Sequence, residues 1–238
     1  MFRVRFAPVF FALVTASACG RTDATTAPTE TLQPPPHYPI IFVHGYLGSS
    51  ATWTAMIARF KADGWTDREL VNWSYDFNQS NVVIAGQIAA KVDSVLAVTG
   101  AHHVDIITHS MGSLSARYYV RNVLTGSDTS TKVDALVSLA GTNHGTTLAA
   151  LCAPASCIEM RPGSAFLTNL NSVRETWGTP RYATWWSACD EAVIPQNSTV
   201  LAGATNTQTA CLGHSDIYGD ATVYQQVRQW VRPTRYGL

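Results

Sequence analysis

The sequence predicts an α/β fold, a mainly parallel sheet with helices on both faces, and three observations predict it. From Tyr38 onward, short β-branched and apolar runs alternate with segments whose apolar residues recur at helical spacing. One run, Val104 to Thr108, reads as a buried strand and passes through His109 and Ser110 straight into a helical segment, Leu114 to Val120. The chain has 238 residues, 46% of them hydrophobic, enough for one domain with a sizeable core.

Taken in order, Pro39 to Val43 is the first strand. Trp53, Met56, Ile57 and Phe60 then mark a helix face, and Leu70 to Trp73 forms a second strand. Ile84, Ile88, Val92, Val95 and Leu96 line one side of a helix that ends near Gly100, a natural stop. After the serine-bearing strand and its helix comes Val133 to Leu139, the next strand, which leads into Gly141-Thr142-Asn143-His144-Gly145. Thr146 to Pro180 reads as loop-rich, with one helical patch at Phe166 to Leu170. Tyr182 to Ser187 and Thr199 to Ala202 are the expected last strands, and Val223, Val227 and Trp230 give a closing helix.

The first residues belong to export. Arg3 and Arg5 precede a short apolar run, Phe6 to Val14, too short to span a bilayer, and Ala16-Ser17-Ala18 offers a cleavage site. Residues 1–18 are therefore read as a signal peptide, 19–37 as a Thr/Ala/Pro-rich linker and 38–238 as the folded domain. Ala16 to Cys19 also resembles a bacterial lipobox, so two readings stand: ordinary secretion, or a lipoprotein tethered to the membrane through Cys19. The remaining cysteines, Cys152, Cys157, Cys189 and Cys211, are even in number, as expected for two bridges outside the cytoplasm. Of three possible pairings we favour Cys152–Cys157, closing a small loop, and Cys189–Cys211, joining two later loops. No metal-ligand spacing is present, and no metal or cofactor is expected. The net charge is zero and only 13% of residues are charged, so no basic stripe could neutralise phosphates and nucleic acid is excluded as a partner. A monomer is expected.

A serine on a sharp strand-to-helix turn has its hydroxyl pushed out at the end of the sheet, with the Met111 N–H at the start of the new helix beside it. That geometry suits acyl transfer, because an accessible nucleophile meets a donor aimed at the developing oxyanion. The spacing is that of G-x-S-x-G, with Thr108 in place of the first glycine. His44-Gly45-Tyr46-Leu47-Gly48 follows the first strand, and the main-chain N–H of Tyr46 is the expected second oxyanion donor. An acid and then a histidine should follow later in the chain. Asp190 is the chosen acid, Glu191 its competitor, and His214 the base; His144 is the rival histidine. Neutral His214 would take the Ser110 proton, and Asp190 would fix its tautomer. His44 is expected to order the oxyanion loop and His109 to be structural. Tyr46, Trp53, Trp185 and Trp186 are candidates for an apolar groove.

The motifs Val43 to Gly48, Asp105 to Gly112, Gly141 to Thr146, Trp186 to Asp190 and Gly213-His214, in that order and spacing, resemble the class 2 secreted bacterial lipases. The resemblance covers nearly everything after Pro36. It implies a compact α/β-hydrolase with little or no lid, which cleaves carboxylic esters of lipids or other alcohols through an acyl-serine. Thr108 departs from it, since the nearest members carry alanine there. Two other readings remain: a polyester- or amide-cleaving hydrolase of the same fold, and an inactive module that binds a hydrophobic ligand in the cleft.

Overall fold

The computed structural model describes residues 1–2, 35–124 and 132–231. Most of the expected signal peptide and linker, with the lipidation candidate Cys19, lies outside the described residues. Six parallel strands form one sheet in the order β2-β1-β3-β4-β5-β6. They are β1 (Ile40–Val43), β2 (Leu70–Asn72), β3 (Val104–His109), β4 (Val133–Leu139), β5 (Arg181–Trp186) and β6 (Thr205–Gln208).

The first strand shows why the sheet is covered twice. Ile40 and Phe42 join a core with Trp53, Met56, Phe60, Val223, Tyr224 and Val227. Ile41 and Val43 join a second core with Ile84, Ile88, Val92 and Leu114. Successive strand residues point to opposite faces, so a strand buried on both sides must be apolar without interruption. All four residues of β1 are fully buried. Helices α1 (Thr54–Ala62) and α6 (Ala221–Trp230) supply the first core, and α2 (Asn81–Thr99) and α3 (Gly112–Tyr118) the second.

Local chemistry sets the helix ends. The Ser80 hydroxyl accepts from the Val82 amide at 3.1 Å to start α2, and Gly100, at φ 72°, ends it in the left-handed conformation. Asp220 caps α6 by accepting from the Val223 amide at 2.8 Å. Two short helices, α4 (Ala155–Glu159) and α5 (Ala165–Leu170), and a 3-10 turn at Thr147–Leu151 occupy the stretch expected to be mostly loop. The α3 helix continues as a π-helical turn, Tyr119–Val123.

One expected strand is wrong. Residues 199–202 are not extended in the sheet: Gln196–Thr199 is a 3-10 turn, and the sixth strand lies later, at Thr205–Gln208. That edge strand reads Thr-Asn-Thr-Gln and is largely exposed, so it carries no apolar pattern to reveal it.

Asp105, the second residue of β3, is fully buried between β1 and β4. Burial first, and nearby Asp134 second, push its pKa well above the usual 3.8; Arg181 and the Ala135 amide offset only part. The folded chain therefore holds a proton that the unfolded chain releases, and this contribution to stability is lost as pH climbs from 3.8 towards the raised value. Asp105→Asn has no proton to lose. Its melting temperature relative to wild type is expected to rise as pH increases above about 4 in calorimetric scans, and a pH-independent difference would refute this account.

Candidate active site

The carboxyl ends of β1, β3 and β5 converge on one cavity of about 710 Å³. At its floor, Ser110 occupies the turn from β3 to α3 with φ 53°, a left-handed conformation that costs energy for a residue with a side chain. Two glycines make the turn possible. A Cβ on Gly112 would lie 2.5 Å from the His44 carbonyl oxygen, and one on Gly45 would lie 2.7 Å from Ser110 Cβ. The elbow and the loop after β1 therefore press directly on each other.

Thr108, out of place in the sequence motif, is explained by a hydroxyl chain beneath the elbow. Its Oγ1 lies 2.8 Å from the Val137 carbonyl oxygen and 2.8 Å from Ser113 Oγ; Ser113 Oγ lies 2.8 Å from Ser138 Oγ. Asn143 Nδ2 donates to Ser138 at 3.2 Å and to the Thr199 carbonyl at 2.7 Å. A carbonyl only accepts, so Thr108 donates to it and must accept from Ser113, which in turn accepts from Ser138. Every proton in the chain has one place to be. All three hydroxyl residues are fully buried, so alanine is replaced here by a satisfied network, not by a defect.

His44 orders the loop after β1, as expected. Its ring stacks on Tyr75 at 3.8 Å, its Nδ1–H donates to the Gly45 carbonyl at 2.9 Å, and its Nε2 accepts from the Tyr75 amide at 3.3 Å. Burial holds its pKa below the ordinary value, which keeps it neutral in this role. The Tyr75 hydroxyl also donates to the His44 carbonyl. Tyr46 lines the cavity from this loop, and Met111 is buried at the head of α3. Among the described residues, neither amide donates to a protein acceptor outside regular elements.

Asp190 and His214 meet as the sequence suggested. His214 Nδ1–H donates to Asp190 Oδ2 at 2.9 Å, and the Ala192 and Val193 amides donate to Asp190 Oδ1 at 2.8 and 2.9 Å. Burial alone would raise the Asp190 pKa. The hydrogen bond and charge of His214, with the two amides, instead hold it below the usual carboxylate value. An ionised carboxylate only accepts, so the His214 proton that faces Asp190 is on Nδ1. Ser110 and His214 line the same cavity. No hydrogen bond joins their side chains among the described residues, and in enzymes that bond often closes only around the substrate.

The alternatives sort by position. Glu191 does not reach the His214 ring; its Oε2 accepts from the His214 amide at 2.9 Å. His144 turns towards Glu175, 2.7 Å away, and lines a separate cavity of about 680 Å³. His109 packs against the His214 ring with centroids 4.5 Å apart, so it is part of the site's wall.

The groove residues need correction. Trp53 and Trp185 are buried in the core between the sheet and α6, where Trp185 Nε1–H donates to Gln226 Oε1 at 2.7 Å. Trp186 does not line the cavity, and only Tyr46 of the four does. The apolar lining comes instead from Leu47, Leu148, Ala149, Leu151 and Met160, together with Tyr218. Leu148 and Leu151 were missed because Thr147–Leu151 reads as plain loop; its Leu-Ala-Ala-Leu run was the available signal.

Both expected bridges are present, Cys152–Cys157 and Cys189–Cys211. The first pins the loop that carries Leu148 and Leu151, which Arg161 also holds through the Ala149 and Cys152 carbonyls at 3.2 and 2.9 Å. The second joins the residue before Asp190 to a residue shortly before His214.

Residues 37–232 match the family described as Lipase (class 2). The fold is similar to that of Bacillus licheniformis lipase BlEst2 in mature form: TM-score 0.70 and 18% identity over 84% of this chain and 94% of that one. Aspergillus fumigatus lipase B gives a TM-score of 0.68 and 17% identity over 79% of this chain and 51% of that one. MGS-MChE2, an alpha/beta hydrolase from the metagenome of lagoon sediments of Mar Chica, Morocco, gives 0.54 and 14% over 82% and 90%. At these identities the likeness is one of fold.

Two outcomes test this geometry. Thr108→Val, which removes the hydroxyl and keeps the shape, is expected to destabilise the protein by about 1–3 kcal/mol in urea titrations, with Thr108→Ser restoring most of it. Replacing Cys189 and Cys211 by alanine opens a 22-residue loop and is expected to cost about 3 kcal/mol and to lower turnover. Removing the 5-residue bridge should cost about 2 kcal/mol, and equal turnover in both double variants would contradict the role given to Cys189–Cys211.

Proposed function

The chain belongs to the class 2 lipase family and is a carboxylic ester hydrolase of α/β-hydrolase fold, and on that footing we propose that it works through an acyl-serine on Ser110. The observation that carries this reading is the Asp190–His214 pair at 2.9 Å, opening on the same cavity as a serine held at φ 53°.

The reaction has two stages. His214 Nε2 takes the Ser110 proton as Oγ attacks the ester carbonyl, and the Tyr46 and Met111 amides receive the oxyanion. His214 then gives the proton to the departing alcohol. In the second stage it takes a proton from water as the water oxygen attacks the acyl carbonyl, and returns that proton to Ser110 Oγ as the ester bond to serine breaks and the acid leaves. Asp190 keeps the imidazole in one tautomer and balances its charge while it is protonated. Leu47, Leu148 and Leu151 give the cavity a mouth with an apolar lining, which favours acyl chains of a lipid or similar ester over charged substrates.

The two disulfides and the leader support export to an oxidising compartment, and Cys19 supports a lipid anchor there. Mass measurement of the mature N-terminus distinguishes a lipidated Cys19 from a free one.

A chain-length series of p-nitrophenyl esters, with emulsified triglyceride and polyester film alongside, tests the activity. Ser110→Ala is expected to abolish turnover and fluorophosphonate labelling with the fold intact, and Asp190→Asn to lose on the order of 10⁴-fold in kcat. Full activity in Ser110→Ala would overturn the mechanism.

A further inference from the structure

His214 is held by more than its ring. It sits in a loop between the end of the sheet and α6, and a base on a loop needs something to fix its main chain. Two side chains with no role in the steps above do so from opposite ends. Glu191 Oε2 accepts from the His214 N–H at 2.9 Å. His109 Nε2 lies 3.0 Å from the His214 carbonyl oxygen. A carbonyl cannot donate, so His109 carries its proton on Nε2. The His109 ring also stacks obliquely on the His214 ring at 4.5 Å and takes the edge of Tyr218 at 4.8 Å.

From this we infer that Glu191 and His109 are positioning residues that clamp the His214 backbone at both its N–H and its C=O, setting where Nε2 meets the Ser110 hydroxyl. The inference rests on the triad reading above and deepens it.

The clamp explains otherwise unrelated facts. Glu191 follows the acid Asp190, and His109 precedes the nucleophile Ser110, so each arm is adjacent to a member of the triad it aligns. A displacement of the nucleophile is passed directly to the base through His109, and one of the acid through Glu191. Charge on His109 would place a cation against the imidazolium that forms at His214. Burial first, and the His214 ring second, hold the His109 pKa down to about 3, so this arm stays neutral while the base cycles. Gly213 fits the same picture: a Cβ there would lie 2.9 Å from Asp216 Oδ2 and 3.3 Å from Glu191 Oε2, crowding the arm that grips the next residue.

The test uses two pairs of variants in the full chain, with kcat and KM on a soluble short-chain p-nitrophenyl ester, the rate of fluorophosphonate labelling, and the melting temperature. His109→Leu removes the donor, whereas His109→Gln keeps an N–H of similar reach. Glu191→Ala removes the acceptor, whereas Glu191→Gln keeps a carbonyl oxygen. His109→Leu is expected to lower kcat and the labelling rate by about tenfold to a hundredfold with KM nearly constant, the size of effect that a small misplacement of a reacting group produces. Glu191→Ala, at an exposed hydrogen bond, should lose about threefold to tenfold in the same quantities. The glutamine variants should recover to within about threefold of wild type. Loss that appears in KM alone, or folded glutamine variants no better than their partners, would overturn the clamp. If His109→Leu fails to fold, the Glu191 pair decides by the same criteria. Wild-type protein that does not label, or Ser110→Ala that still turns over, would instead overturn the triad reading itself.

Discussion

The close contact between the Ser110 turn and the loop after β1 is the constraint on which the site depends. Ser110 can hold its left-handed backbone only because Gly112 lets the carbonyl oxygens of Val43 and His44 come within 3 Å of where a side chain would begin. Tyr46 belongs to this loop and Met111 to the turn it presses on. A strained residue persists only where its surroundings over-determine it. Here they do so from two directions: the hydroxyl chain through Thr108, Ser113 and Ser138 below, and the His44–Tyr75 stack at the side.

Much of the fold was legible because its signals are local. A strand buried on both faces must be a continuous apolar run, and β1 and most of β3 are such runs, Asp105 being the charged exception. The strand-serine-helix passage is contiguous in the chain, and Ser110, Asp190 and His214 come after β3, β5 and β6, which follow one another along the sheet in chain order. The edge strand β6 was misplaced because an exposed edge has no need of apolar residues. The groove was misread for a related reason. Trp185 and Trp186 are neighbours in sequence but point to opposite sides of β5, and nothing in the pair says which side faces a core.

The remaining site chemistry was illegible because it is relational. Thr108 looks like a flaw until Ser113 and Ser138, from two other elements, supply its partners. Glu191 looked like a rival to Asp190, yet these adjacent residues grip different parts of one neighbour. One carboxylate binds the imidazole of His214 and the other its peptide amide. Histidines divide in the same way. His44 and His109 act as hydrogen-bonding frames, and burial lowers the pKa of both by disfavouring the charged ring.

The Cys189–Cys211 bond also matters before the native state exists. It ties two residues 22 apart, each a few positions from Asp190 or His214. In an oxidised but unfolded chain, Asp190 and His214 are thereby confined to a small volume, and their mutual effective concentration is high without any help from the sheet. What folding has left to arrange is a two-body problem, the delivery of the serine elbow to a partner that is already half assembled.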